Sequence, residues 1–431
     1  MSALCQAGRR TRATTVAPRV GLFGLLGQGN VGNDGSLEAV LAYLNAEHSD
    51  VILDSLCSGP ERVTAQYGIP AARLCWYRSE RHRASGMMAL PLKTLGKAID
   101  AFHTASWVRR HDVVIVPGMG VLEATVPLRP GQTPYWMFLL CASARLFGTK
   151  VALVSVGADV IRQRLTRWLI ITAARLAHYR SYRDTISRDA MRRMGLNTSG
   201  DAVYPDVCFS LPTPLGERGV AGTVGIGVMD YLGGNDDRRQ ADEIHASYVE
   251  KIERFVLWLV DNGRPVRLFT GDVHDERVAQ KIVTELRAQR PDLGPSQLIA
   301  EPVSSLDELM RQMASVDTII ATRFHNVLCA LMLAKPTLSL GYATKHDVLM
   351  ADMGLSEFCH PVKSMDVARL IEQFTELESR SGQLRQTMTE RNAAKAQLVD
   401  HQFAELSSVL FPGAEAARTA ARHKPASIGA R

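Results

Sequence analysis

Residues 319–345 read IIATRFHNVLCALMLAKPTLSLGYATK, and the order of apolar runs in this stretch decides the fold. The run at 318–321 has the length and composition of a strand buried in a parallel sheet. The spacing of 326–333 predicts an apolar helix, Lys335-Pro336 breaks it, and 337–340 reads as a second buried strand. Such a crossover joins parallel strands, so the ends of both strands lie on one edge of the sheet. That edge receives Arg323 and His325 from the first strand, and Tyr342 and Lys345 from the second. If extended backbone continues through 322–325, Arg323 and His325 face the same way.

The same alternation extends in both directions. Strands are expected at 20–26, 51–56, 113–116 and 151–156, then again at 223–228 and 266–270. Helices are expected at 37–44, capped by Ser36, and at 135–147, 162–179, 247–260, 275–289 and 305–314. Residues 211–221, LPTPLGERGVA, have Pro and Gly without periodicity and read as a linker. The chain is therefore expected to be α/β, with two Rossmann-like domains built on parallel sheets. These domains span 19–212 and 222–411, the second including the terminal helices. The basic arm 1–18 and the tail 412–431 are expected to lie loose outside them. Two such halves in series hold ligands in the cleft between them, at carboxyl strand ends.

Composition narrows the function. Hydrophobic residues at 46% and charged residues at 22% are ordinary for a folded globular protein. No run approaches the roughly 18 apolar residues of a membrane span. Seven cysteines form no C-x-x-C pair, which argues against a disulfide framework and a zinc site and points to the cytoplasm. The net charge of +6 is locally concentrated: residues 161–194 hold nine arginines against Asp184 and Asp189. They are read either as solvated helix faces or as facing an anionic substrate or lipid surface; nucleic acid ranks last, because the segment lacks the regular aromatic array of a single-strand binder.

Several strand exits carry candidate binding groups. Gly27-Gln28-Gly29-Asn30-Val31-Gly32 is a literal G-x-G-x-x-G, followed by Asn33-Asp34-Gly35. Read as a long loop ending in polar side chains, it suits a sugar or phosphate at Asn30, Gly32 and Asp34 better than a dinucleotide. Gly118 and Gly120, and then Gly157, place further permissive backbone on the same edge, where a ligand could approach closely. Arg183, before Asp184, offers a guanidinium fork that fits a carboxylate or phosphate. Together, Arg183, Arg323, His325 and Lys345 suit holding a small polyanion and moving a proton.

The same motifs resemble those of the polysaccharide pyruvyl transferase family. They are G-N-V-G-N-D-G at residue 29, V-P-G-M-G-V-L at 116, S-V-G-A at 155, S-Y-R-D-T-I-S-R-D at 181 and Y-P-D-V at 204. The most specific are T-R-F-H at 322 and K-P-T-L-S-L-G-Y-A-T-K-H-D at 335. The resemblance implies a GT-B-like fold and transfer of the enolpyruvyl group of phosphoenolpyruvate to a saccharide as a ketal, with no separate cofactor and no metal. It assigns the catalytic positions to Arg183, Arg323, His325 and Lys345, with Tyr342 among the binding residues. The acceptor would be a polysaccharide or lipid-diphosphate-linked oligosaccharide, met at the inner face of a membrane. The acid after the glycines is shifted by one place relative to the family pattern, which puts the role of Asp34 in question. The rival readings are a nucleotide-sugar glycosyltransferase, a non-catalytic assembly subunit and a dehydrogenase.

Overall fold

In the computed structural model, residues 17–76, 89–123, 130–214 and 220–412 are described. Most of the basic arm, the tail beyond 412 and part of the linker lie outside them. The first sheet is seven-stranded, in the order β3-β2-β1-β4-β5-β6-β7. Its strands are β1 Arg19–Gly24, β2 Ile52–Cys57, β3 Ala71–Arg73, β4 Val113–Val116, β5 Lys150–Val156, β6 Tyr179–Tyr182 and β7 Ala202–Val203. The second is six-stranded, in the order β10-β9-β8-β11-β12-β13. It is built from β8 Val224–Gly227, β9 Val266–Phe269, β10 Leu298–Ala300, β11 Thr318–Ala321, β12 Thr337–Gly341 and β13 Cys359–Pro361. Every named pairing is parallel.

Both sheets reverse direction beside their first strand, β1 against β4 and β8 against β11. A crevice opens at each reversal, because the crossovers on its two sides leave in opposite directions. Helices cover both faces, so central strands such as VVIV of β4 are buried throughout. The short strands β3, β7, β10 and β13 have too few residues to show a periodicity, and the sequence reading passes over them; β6 begins at Tyr179, where a helix was expected, because that helix ends at Leu176.

Two boundaries alter the chemistry expected of the sequence. The first helix runs Val31–Glu47 and opens immediately after Asn30, whose side chain accepts from the Asn33 N–H. The glycine loop is therefore short, and Gly32 lies in the helix's first turn. Ser36 does not cap; its hydroxyl bonds to the carbonyls of Gly32 and Gly118 at 3.1 and 2.8 Å inside the domain. The helix after β11 runs Phe324–Met332 with Arg323 as its N-cap. Residues 322–325 are thus not extended, and Arg323 and His325 diverge rather than sharing a face.

The terminal helices are Val367–Ser379 and Ser381–Leu410. The second of these straps both domains together. Its first half holds the second domain, with Asn392 Nδ2 donating to the Leu331 carbonyl at 2.8 Å. Its second half reaches the first domain, where Gln402 bonds to Ser155 and Ser181 at 3.0 and 2.8 Å and Glu405 accepts from Tyr204 at 2.6 Å. At the front, the Val31 N–H donates to the Gly271 carbonyl at 3.1 Å, and Asn30 Nδ2 donates to Asp272 at 3.1 Å. Bonds at the back and front fix the cleft between the sheets.

Candidate active site

The cleft between the strand ends encloses about 570 Å³. Of the residues expected there, Asn30, Gly120, Arg183, Arg323, His325, Tyr342 and Lys345 line it. Gly32, Asp34, Gly118 and Gly157 stand behind this lining. A second cavity of about 510 Å³ lies between helix Val31–Glu47 and the strap helix, with none of these residues in its wall.

Arg183 follows β6 of the first domain, and Lys345 sits in the first turn of helix Thr344–Asp352 of the second. Both reach the same carboxylate. Arg183 Nη2 bonds to Glu123 Oε1, and Lys345 Nζ donates to Glu123 Oε2 at 2.9 Å. Burial pushes the Glu123 carboxyl up, but the charges of Arg183 and Lys345 outweigh it and hold the group at about 2. Arg183 also stacks 4.5 Å from the Phe324 ring centroid, and Lys345 Nζ lies 5.2 Å from that of Tyr342. Buried cations need such partners, since an unpaired one costs about 3–5 kcal/mol.

Arg323 is placed differently from the bare cation expected. Its Nε and Nη2 donate to the carboxylate of buried Asp275 at 2.8 and 2.6 Å. Asp275 also accepts from the N–H groups of Asp230 and Gly271. The Arg323–Asp275 pair thus braces two loops of the cleft floor and brings no net charge. Beside it, the Asn326 amide is fully buried, and neither its nitrogen nor its oxygen has a protein partner. Such a group in a cleft wall is one a ligand can satisfy.

His325 crosses from the second domain to the first. A Cβ at Gly32 would stand 1.9 Å from His325 Nδ1, so only glycine leaves room for the ring against the start of helix Val31–Glu47. On its other side, Nε2 lies 3.6 Å from Asp206 Oδ2. Asp206 is buried, its Oδ1 accepts from the Cys208 N–H, and its Oδ2 is 3.8 Å from Arg183 Nη1. Burial raises its pKa, yet His325 and Arg183 bring it below the ordinary carboxylate range. Asp206 thus presents its carboxylate to the Nε2 edge of the imidazole.

The glycines therefore admit protein side chains. A Cβ at Gly157 would meet Glu123 at 2.1 Å and Arg183 at 2.7 Å. Gly118 lies against Val207. Asp34 turns inward, accepts the Gly27 N–H at 2.7 Å and lies 4.0 Å from Arg62. Burial raises its pKa, as expected of a carboxyl that organises the loop from within. The short loop would suit a dinucleotide better than expected, but the second domain covers the helix start, with Gly271 on the Val31 N–H and His325 on Gly32.

Asp206, Cys208 and His325 place donor atoms within 4.8 Å of one another, the geometry of a partial metal set. Its chemistry fits a dication poorly. Burial pushes the Cys208 thiol well above its usual range, and the Arg183 guanidinium already faces Asp206.

Sequence reasoning missed Glu123, Asp206, Asp275 and Asn326. Asp206 had a signal in Tyr204-Pro205-Asp206-Val207. Glu123, three residues past Gly120, could have been suspected as the only acid near that turn.

The model of one protein family, described as polysaccharide pyruvyl transferase, matches residues 30–344. That span includes all these residues but Lys345, one position beyond it. No curated protein sequence matches the chain. Among solved structures, UDP-GlcNAc 2-epimerase from Neisseria meningitidis bound to UDP-GlcNAc is similar, with a TM-score of 0.59 at 11% identity, over 92% of this chain and 100% of that one. Anabaena Alr3699/HepE in complex with UDP and glucose is similar over 91% of this chain and 99% of that one, at TM-score 0.53 and 10% identity. These likenesses show a GT-B-like fold. Among the described residues, no helix is long and apolar enough to cross a membrane.

Proposed function

The chain belongs to the polysaccharide pyruvyl transferase family, which makes it a transferase of polysaccharide biosynthesis, and from that premise we propose its donor, acceptor and residue roles. The donor is phosphoenolpyruvate. The acceptor is a sugar of a polysaccharide or lipid-linked oligosaccharide, and the product is a pyruvate ketal. With this donor the reaction belongs in the cytoplasm.

One observation carries the reading: Arg183 and Lys345, from different domains, hold a single carboxylate between them next to His325. Glu123 there marks a site suited to an anion, and phosphoenolpyruvate takes its place with a carboxylate or phosphate. Arg323, fixed by Asp275, and Asn326 supply further donors in the cleft lining, while Asn30 and Tyr342 face the acceptor.

His325, as imidazolium, gives its proton to the methylene carbon of phosphoenolpyruvate. The C=C bond becomes a methyl group beside an oxocarbenium-like carbon, which one sugar hydroxyl attacks. The carbon–oxygen bond to phosphate then breaks, and a second hydroxyl closes the ketal. Of the two hydroxyl protons, one restores His325 and the other leaves on phosphate, so atoms and charge balance. A positioned acid contributes about 10²–10⁴-fold. The paired cations stabilise the departing phosphate.

The test is phosphate release from phosphoenolpyruvate in the presence of oligosaccharide acceptors. Wild type should release it and His325→Ala should lose about 10²-fold or more. Undiminished release by the variant would remove His325 from its role.

A further inference from the structure

Three helices side by side on one face of the first sheet carry groups that this chemistry leaves unused: Ala89–Val108, Thr133–Phe147 and Arg164–Leu176. The last two contain no Asp or Glu. The one acid of the first, Asp100, is buried and bonded to Lys97 and Trp136. The exposed charges are instead cations, with Arg162, Arg164 and Arg167 clustered at the start of helix Arg164–Leu176 and Arg145 on its neighbour. The same three helices also expose large apolar side chains to water: Trp168 is 55% exposed, Leu165 58%, Leu146 76% and Phe102 79%. Trp168 leans on Phe138 with ring centroids 5.4 Å apart, so the patch continues across two helices.

An ordinary solvated face mixes both signs of charge and breaks up apolar groups. These helices expose charge of a single sign together with large apolar groups, the pattern of a surface that rests in the headgroup layer of a bilayer. Like charges would oppose a second copy of the same face. We propose that this helical face docks on a bilayer containing anionic phospholipid, with Trp168 and Leu165 entering the interface and the arginines meeting headgroup phosphates. The start of helix Arg164–Leu176 follows β5, so it lies on the strand-end edge that also carries Gly157 and Arg183. Docking there brings the mouth of the cleft to the lipid surface. The inference rests on surface chemistry, and its failure would leave the phosphate-release test untouched.

The experiment is co-sedimentation of the full chain with vesicles of phosphatidylcholine, alone or mixed with phosphatidylglycerol. Binding is expected to the mixed vesicles, to weaken as salt rises, and to be absent for phosphatidylcholine alone. Each arginine near such a surface is worth about fivefold. R162E/R164E/R167E should therefore bind at least about a hundredfold more weakly. A blue shift of tryptophan fluorescence on binding should disappear in Trp168→Phe. All four side chains are exposed, so melting temperatures should match wild type and certify the fold. Absence of binding to mixed vesicles at low salt would overturn the proposal, as would undiminished binding by the triple variant or a blue shift that persists in Trp168→Phe. Sedimentation as a dimer through this face would instead assign it to a second copy.

Discussion

Gly32→Ala adds one methyl group and should disable the enzyme without unfolding it. The added Cβ would fall 1.9 Å from Nδ1, 2.1 Å from Cγ and 2.5 Å from Cε1 of His325. Ordinary carbon contacts begin near about 3.5 Å, so the ring must retreat by about 1.6 Å. A misplacement of about 1 Å at a reacting group costs about 10²-fold. Locally the substitution is favourable, because alanine exceeds glycine by about 0.5–1 kcal/mol within a helix. The first domain should therefore melt no lower, while the rate of phosphate release falls by about 10²-fold or more. His325→Gln supplies the control. If both changes act through the same ring, the double variant is no slower than His325→Gln alone. Wild-type turnover in Gly32→Ala, or additive losses in the double variant, would refute the placement of His325 as the acid.

Other outcomes follow from the partners of the cleft. Glu123→Gln leaves Arg183 and Lys345 without their carboxylate, so the ligand-free protein should melt at a lower temperature. Phosphoenolpyruvate no longer has to displace that anion, and its KM should fall by roughly tenfold, the worth of one charged hydrogen bond; an unchanged or higher KM would contradict the exchange. Asp206→Asn should lower kcat with little change in KM, since Asp206 faces the imidazole rather than the cleft lining; a change confined to KM would place it in substrate binding. Far from the site, burial and the neighbouring Glu285 raise the Glu253 carboxyl to about 8. A raised carboxyl favours folding while protonated, so this contribution is present below about pH 4 and is lost as pH rises through about 8. Glu253→Gln should flatten the fall in melting temperature over that window, and an identical pH profile would exclude the group.

Much of the fold was legible because buried parallel strands are apolar on both faces. β11 at Thr318–Ala321 matches the expected span, and the crossover brings Lys345 and His325 to one cleft. What the sequence hid depends on contacts between residues distant in the chain. Arg323 looks like a free cation until Asp275 is seen beneath it. Gly32 looks like a ligand cradle until His325 arrives from the other domain. The extended reading of 322–325 failed because no residue there stops the helix from starting at Phe324, where Arg323 takes the cap position without a side-chain bond. The strap helix Ser381–Leu410 was expected with the second domain alone, since amphipathic spacing shows that a face is buried but not against which domain.

In the proposed reaction His325 delivers a proton to the methylene carbon during transfer to a sugar. Running the reaction in D2O tests it directly. The ketal formed should carry one solvent deuterium in its methyl group, in step with phosphate release, and His325→Gln should form neither product at an appreciable rate. A ketal with no solvent deuterium, or deuterated ketal formed at the wild-type rate by the variant, would rule out His325 as the proton donor.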